Sequence, residues 1–396
     1  MACKTLLING KLFDTATGAF TPAEMLIEDG KIAALGAPGE LSREGVELLD
    51  ADGALVAPGL VDVHTHGRAG GDFNDADTAL LQNMSRSYLR AGVTTVMPTL
   101  ASAPFDSFGE AADRIAAVAA APEGARYIGL HLEGRYLNPK KRGAHAAQLI
   151  APLDGNELIT LAERMRRPYG GQCPMRASAA LELDGDGSFT AAAKAQDIRL
   201  SLGHTEATFD EASAAVAAGA SCFTHLYNAM PPLHHRAGGA IMACFDSDAY
   251  GEIICDGFHI APEMVRLAYR MLSSRRLVLI SDSMQGTACP DGDYSIAGLP
   301  VTVRDGKAYT IEGNIAGSTL NLLDGVFNLM TFCGISLEEA LPCATCNPAR
   351  AAGIDHLVGS LRTGLYADFL LLDSKDGVHT LRDVYVGGQR MTEVAG

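Results

Sequence analysis

The chain has 396 residues, of which 47% are hydrophobic and 20% charged, with a formal net charge of −16. That length suits one large domain and one accessory domain, in the composition range of a packed globular enzyme. The acidic balance argues against nucleic acid or an anionic membrane as partner, and any anionic substrate needs a local basic site. No apolar run approaches the ~20 residues that span a bilayer. The N-terminus Met1 to Gly10 lacks the long apolar stretch and cleavage site of a signal peptide. Nine cysteines are scattered, and the single C-x-x-C of Cys343 and Cys346 has no second pair at zinc-ribbon spacing. Free thiols in a reducing, cytoplasmic compartment are expected.

In chain order, residues 1–57 read as short strands with turns at Asn9-Gly10, Asp29-Gly30 and Asp52-Gly53. A strand-then-helix alternation follows, the pattern of a parallel α/β fold. Strands are predicted at Leu60–His66, Thr94–Thr99, Tyr127–Glu133, Met175–Ala179, Arg199–His204, Cys222–Asn228, Glu252–Asp256 and Leu277–Asp282. Several are near-continuous apolar runs, as strands covered on both faces require. Helical spacing runs from Asp77 to Arg90 and stops at Gly92, and capping boxes stand at Thr208–Glu211 and Ser336–Glu339. Gly286 to Thr319 is a long insertion with a hairpin expected at Asp305-Gly306, placed to act as a lid. The tail returns to strands, at Gly359–Asp373 and Val384–Gly388. The fold expected is a metal-dependent (β/α)8 barrel over 58–354, with a small β-sandwich domain built from 1–57 and 355–396.

In such a barrel the chemistry sits at the C-terminal ends of the strands. Those ends read Asp62-Val63-His64-Thr65-His66, His131-Leu132-Glu133, Gly203-His204-Thr205, Thr224-His225-Leu226, Asp256-Gly257-Phe258-His259 and Ser281-Asp282. His64 and His66, two apart on a strand, point to one face. A lone H-x-H is weak evidence, but imidazoles and carboxylates gathered at one end of several strands suit zinc, iron or manganese. Such a cation lowers the pKa of a bound water toward neutrality. Asp282, ending the eighth strand, is the carboxylate best placed to take that water's proton and return it to a leaving nitrogen. Polarisation of a carbonyl falls to a histidine or to the metal.

These stretches resemble the amidohydrolase superfamily and, within it, the N-acetylglucosamine-6-phosphate deacetylase family. The resemblance covers nearly the whole chain. It is carried by Pro58–Gly67, Gly129–Gly134, Asn138–His145, Gly203–Thr205, Thr224–Met230, Ala316–Leu320 and Asn347–Arg350. It implies hydrolysis of N-acetylglucosamine 6-phosphate to glucosamine 6-phosphate and acetate. Glu133, His204 and His225 would hold the main divalent metal, and His64 and His66 a second, with Glu133 bridging. His145 would polarise the acetyl carbonyl, and Asp282 would act as base and then acid. Asn228 and Ala229, through backbone amides, would bind the amino-sugar phosphate together with Arg236 and His259. The Arg and His of this phosphate site can come from a neighbouring subunit in the family, which implies a homodimer.

Two departures stand out: Arg135 where the family usually has Pro, and Ala179-Ala180-Leu181-Glu182 where it usually has A-P-E. Arg135 is expected to reshape the sugar pocket or add an anion contact, which leaves open another N-acyl hexosamine phosphate. Tyr136 and Met230 read equally as pocket wall and as packing. Amidohydrolases of N-acyl amino acids or cyclic amides are the nearest rivals. The fourth strand, Met175 to Ala180, carries no lysine of the kind that bridges two metals in dihydropyrimidinase-type sites. A non-catalytic scaffold would be expected to have lost metal ligands, and this chain keeps them all.

Overall fold

A computed structural model describes residues 4–391. Met1 to Cys3, read above as part of the N-terminus, and residues 392–396 of the predicted β domain lie outside them.

Eight parallel strands form the barrel: β1 Leu60–Thr65, β2 Val93–Ala101, β3 Leu130–Glu133, β4 Met175–Ala179, β5 Ile198–Leu202, β6 Cys222–Phe223, β7 Tyr250–Ile254 and β8 Leu277–Ile280. Each pairs in parallel with the next from β1 through β8. Closure comes at the C-terminal rim. The Asp282 N–H donates to the His64 carbonyl at 3.0 Å, and the His66 N–H to the Ser283 carbonyl at 2.8 Å. The seam between the last and first strands is thus stitched at residues singled out for chemistry. Every residue of β1 and β2 is buried, which accounts for their continuous apolar runs.

Helices α1 Thr78–Arg90, α2 Phe105–Ala119, α3 Gly155–Arg166, α4 Ser188–Ala195, α5 Phe209–Ala218, α6 Gly239–Phe245, α7 Pro262–Arg276 and α8 Leu322–Cys333 follow the strands in turn. Asp77 caps α1, accepting from the Leu80 N–H. Thr208 and Glu211 make a reciprocal capping box on α5, as Ser336 and Glu339 do on the helix Leu337–Ala344. Each cap satisfies donors that would otherwise be orphaned, worth about 1 kcal/mol.

The chain termini meet in one eight-stranded sheet, where Leu55–Pro58 pairs antiparallel with Phe369–Lys375. Its strands share an apolar cluster that includes Leu7, Met25, Ile32, Val56, Phe369 and Tyr385. Asp29-Gly30 forms the expected two-residue hairpin, both residues at positive φ (52° and 75°). Asn9-Gly10 does not turn the chain. It makes a bulge inside one continuous strand, Lys4–Asp14, with Asn9 at φ 56°. A Cβ on Gly10 would stand 2.7 Å from a Val56 methyl, so close packing selects glycine there. The strand expected from Gly359 begins only at Phe369. The insertion after β8 is a three-stranded antiparallel sheet, Gly292–Ile296, Leu299–Arg304 and Lys307–Thr310, and Asp305-Gly306 is its second turn.

Candidate metal centre

Three predicted strands overshoot the observed ones for a common reason. The backbone leaves the extended region at His204 (φ 48°), His225 (φ 30°) and Asp282 (φ 49°), and Tyr227 and Ala229 follow at 78° and 51°. Left-handed conformations at residues other than glycine are costly and gather at functional sites. Here they turn side chains from the strand ends inward over the barrel axis.

Glu133, at the end of β3, lies between two pairs of imidazoles. Its Oε1 is 3.2 Å from His204 Nε2 and 3.0 Å from His225 Nε2, and those nitrogens are 3.0 Å apart. Its Oε2 is 2.9 Å from His66 Nε2 and 3.4 Å from His64 Nε2. Each group, His64–His66–Glu133 and Glu133–His204–His225, brings three buried ligand atoms within 4.8 Å of one another. Bonds of ~2.1 Å in a tetrahedral site place ligand atoms about 3.4 Å apart, so both triads have the spacing a single cation needs. The hydrogen bonding agrees. His64 Nε2 is buried with no hydrogen-bond partner, and two imidazole nitrogens aimed at each other leave at least one lone pair unmatched unless a cation or a proton lies between.

The far nitrogens fix the tautomers. His204 Nδ1 donates to the Lys141 carbonyl at 2.7 Å, and His64 Nδ1 stands 3.2 Å from Glu252 Oε2, so both present an Nε2 lone pair to the centre. Burial pushes the His66 imidazole down, but hydrogen bonds with Asp282 and Glu133 outweigh it and hold it at about 9. Burial likewise raises Glu133, and the His64 charge with bonds from His204 and His225 takes it well below the usual carboxylate range. The centre therefore draws positive charge strongly, and a divalent cation competes with protons for the same lone pairs.

Asp282 Oδ1 lies 3.3 Å from His66 Nε2 and 3.6 Å from His64 Nε2. Burial would raise its carboxyl, yet the two histidines hold it below its ordinary value, so it is ionised at neutral pH. His145 is held differently. Its Nδ1 accepts the Ser102 backbone N–H at 3.3 Å, with the Ser102 hydroxyl 2.9 Å away. The ring proton therefore belongs on Nε2, which points at the centre 3.7 Å from Glu133 Oε2. Burial, with His204 adding to it, drives His145 down to about 3 and keeps it a neutral donor.

A cavity of about 150 Å³ opens on these groups, and His66, Glu133, His145, His204, His225 and Asp282 line it together with Asn228, Ala229 and His259. Ile296, Ile315, Ala316 and Gly317 from the insertion form one wall, as a covering element would. His259 is set by Asp256, whose Oδ2 is 2.6 Å from its Nδ1. The Asn228 backbone N–H donates to the His225 carbonyl at 2.9 Å, and its side-chain amide donates to the same carbonyl at 3.3 Å. Arg236 is not in the cavity wall. It lies with His234 and His235 on an exposed loop of the same chain.

Arg135 corrects an expectation. It turns away from the cavity, with Nε and Nη2 on the two oxygens of Glu157 at 3.1 and 3.3 Å. Its side chain is not part of the cavity lining. Tyr136 packs on Phe189 and donates to Glu157, so it belongs to the core. In the other departure, Glu182 ties three loops, accepting from the Asn138 side chain, the Thr205 hydroxyl and the Glu206 N–H. Sequence reasoning passed over Ser102, Glu252 and Arg176. The one available signal was a charged pair, Arg176 and Glu252, inside otherwise apolar central strands.

The sequence model of the amidohydrolase family matches residues 55–394. The chain is 34% identical over 394 residues to an N-acetylgalactosamine-6-phosphate deacetylase of Escherichia coli O157:H7, a match covering 97% of this chain and 99% of that protein. It is 34% identical over 350 residues to an N-acetylglucosamine-6-phosphate deacetylase of Vibrio furnissii, covering 88% and 86% respectively. The crystal structure of N-acetylglucosamine-6-phosphate deacetylase from Pasteurella multocida superposes with a TM-score of 0.87 at 27% identity, over 98% of this chain and 99% of that one. On these matches, and with the barrel and its candidate metal-ligand groups in place, this chain belongs to the amidohydrolase family.

Proposed function

We propose that this chain is a metal-dependent hydrolase that converts N-acetylglucosamine 6-phosphate and water to glucosamine 6-phosphate and acetate. The observation that carries this reading is the convergence of the Glu133-centred ligand groups, neutral His145 and ionised Asp282 on one small cavity. The names of both sequence relatives support the substrate class, an N-acetylhexosamine 6-phosphate.

Glu133, His204 and His225 would hold one divalent cation and His64, His66 and Glu133 a second, drawn from zinc, iron or manganese. Bound there, a cation supplies Lewis acidity and makes a water nucleophilic at neutral pH. Asp282 accepts the proton of the attacking water as the new C–O bond forms, then delivers it to the sugar nitrogen as the C–N bond breaks. His145 donates its Nε2–H to the acetyl oxygen as negative charge develops on it. The insertion wall excludes bulk water, which strengthens each of these contacts.

Asn228, Ala229 and His259 take the sugar phosphate from this chain. Arg236, exposed in its own protomer, reaches the phosphate of a neighbouring copy in a homodimer. The eight described cysteines are free thiols, which supports a cytoplasmic setting. The domain division at 57/58 and 354/355 is supported by the terminal sheet, whose strand Leu55–Pro58 precedes β1 and whose next strand, Phe369–Lys375, follows the barrel helices.

A second reading, N-acetylgalactosamine 6-phosphate as the preferred substrate, is favoured by the relative from Escherichia coli O157:H7. Acetate release from both hexosamine phosphates and from unphosphorylated N-acetylglucosamine, on metal-loaded protein, decides. Preference for the glucosamine derivative supports the proposal, and preference for the galactosamine derivative replaces it. No turnover of any sugar with metal bound rejects both.

A further inference from the structure

Glu252, on β7, is fully buried, and so is His64, while Arg176 is 1% exposed. Glu252 Oε1 pairs with the Arg176 guanidinium. Its Oε2 is 3.2 Å from His64 Nδ1 and accepts the His225 backbone N–H at 3.3 Å. One carboxylate oxygen thus touches a ligand from each half of the metal centre. The other ligands are held otherwise: His204 Nδ1 is bonded to a backbone carbonyl, and the Nδ1 atoms of His66 and His225 have no hydrogen-bond partner among the described residues.

A sealed ion pair needs a reason. Desolvating a carboxylate and a guanidinium costs several kcal/mol each, and their mutual attraction about offsets it, so apolar side chains of similar volume would serve stability as well. Within the pair, Oε1 is taken up by Arg176, and Oε2 is left for His64 and His225. A carboxylate at Nδ1 fixes the imidazole tautomer, aims the Nε2 lone pair and raises its donor strength. At His225, whose φ of 30° is unfavourable, the same oxygen holds the N–H of a strained ligand backbone.

We infer that Glu252 is a positioning residue that sets the cation affinity of the centre by holding His64 and the His225 backbone from behind, with Arg176 as its buried counter-charge. This rests on the metal centre proposed above. Removing Glu252 alone would strand the Arg176 charge, so neutral double variants of the full chain are the test: Arg176→Met with Glu252→Leu, and Arg176→Met with Glu252→Gln.

Zn2+ stoichiometry by elemental analysis, Zn2+ affinity by chelator competition, and the Tm of the metal-free protein are measured on each. The Leu variant loses about 10- to 100-fold in affinity while its metal-free Tm stays near that of the parent, a separation that a purely structural role would not give. The Gln variant, which keeps an acceptor oxygen but no charge, falls between the Leu variant and the parent. Parent-like affinity in the Leu variant overturns the inference. If the Leu variant does not fold, parent-like affinity in the Gln variant overturns it, and weakened affinity supports it. A parent protein that takes up no Zn2+ overturns the metal-centre reading itself and is distinguished by that measurement.

Discussion

Stripping the cation from the centre exposes a pH dependence whose size follows from His66. Its folded-state pKa of about 9 lies above the unfolded value of 6.5. The stabilisation is therefore complete below pH 6.5 and is lost as pH rises through 9. At about 1.36 kcal/mol per pH unit the whole effect is about 3 kcal/mol, of which about 2 is gone by pH 8.5. His64, raised in the same direction by Glu133 and Asp282 against its burial, reinforces the slope. Asp62, raised by burial to about 6, adds only a few tenths of a kcal/mol in the same direction, while His131 and His145, held neutral in the fold by burial, offset less than about 1 kcal/mol as they deprotonate in the unfolded chain. Urea unfolding of chelator-treated protein at pH 6.5, 7.5 and 8.5 reads the loss directly. Metal-loaded protein should be nearly flat across that range, and His66→Asn should make the slope of the chelated protein shallower, leaving the part that His64 carries. A chelated protein whose stability is constant or rises from pH 6.5 to 8.5 would refute the electrostatic picture of the centre.

Asp282→Asn keeps the backbone bond that closes the barrel, so folding and metal content persist while kcat drops by about 10²–10⁴; near-parental turnover removes Asp282 from the mechanism. His145→Asn lowers kcat by about 10²–10³ with unchanged metal stoichiometry, since His145 belongs to neither ligand triad; loss of metal instead would reassign it. Arg236→Ala raises KM for a hexosamine 6-phosphate and leaves an unphosphorylated sugar unaffected, and an equal penalty on both rejects its phosphate role. Arg135→Ala breaks a partly buried pair with Glu157, costing about 1 kcal/mol in urea unfolding with KM unchanged, whereas a raised KM would return Arg135 to the pocket.

Much of the site was legible because barrel geometry converts sequence position into spatial position. His64, His66, Glu133, His204, His225 and Asp282 each stand at or just past the end of a strand, and parallel strands in a closed barrel end on one rim. The capping boxes at Thr208 and Ser336 were legible for a local reason, since both partners lie within one turn. The errors fell where packing overrode local preference. Asn9-Gly10 has turn chemistry but sits in a strand pinned by Val56. Arg135 follows directly on the rim, yet Glu157 of α3, 22 residues on, draws it outward.

The amino-acid order by itself determined the alternation of strand and helix, the candidate metal-ligating groups and the rim on which they meet. Hydrophobic period and strand-end chemistry are short-range properties, and one chain suffices to read them. Tertiary structure alone decided which oxygen of Glu133 faces which histidines, which nitrogen of His145 carries the proton, and what stands behind His64. Those depend on Ser102, Arg176 and Glu252, groups 43, 76 and 188 residues from the side chains they act on. Hydrogen bonds and ion pairs act over a few ångströms of space, and no pattern along the chain encodes contacts that form only when the barrel closes.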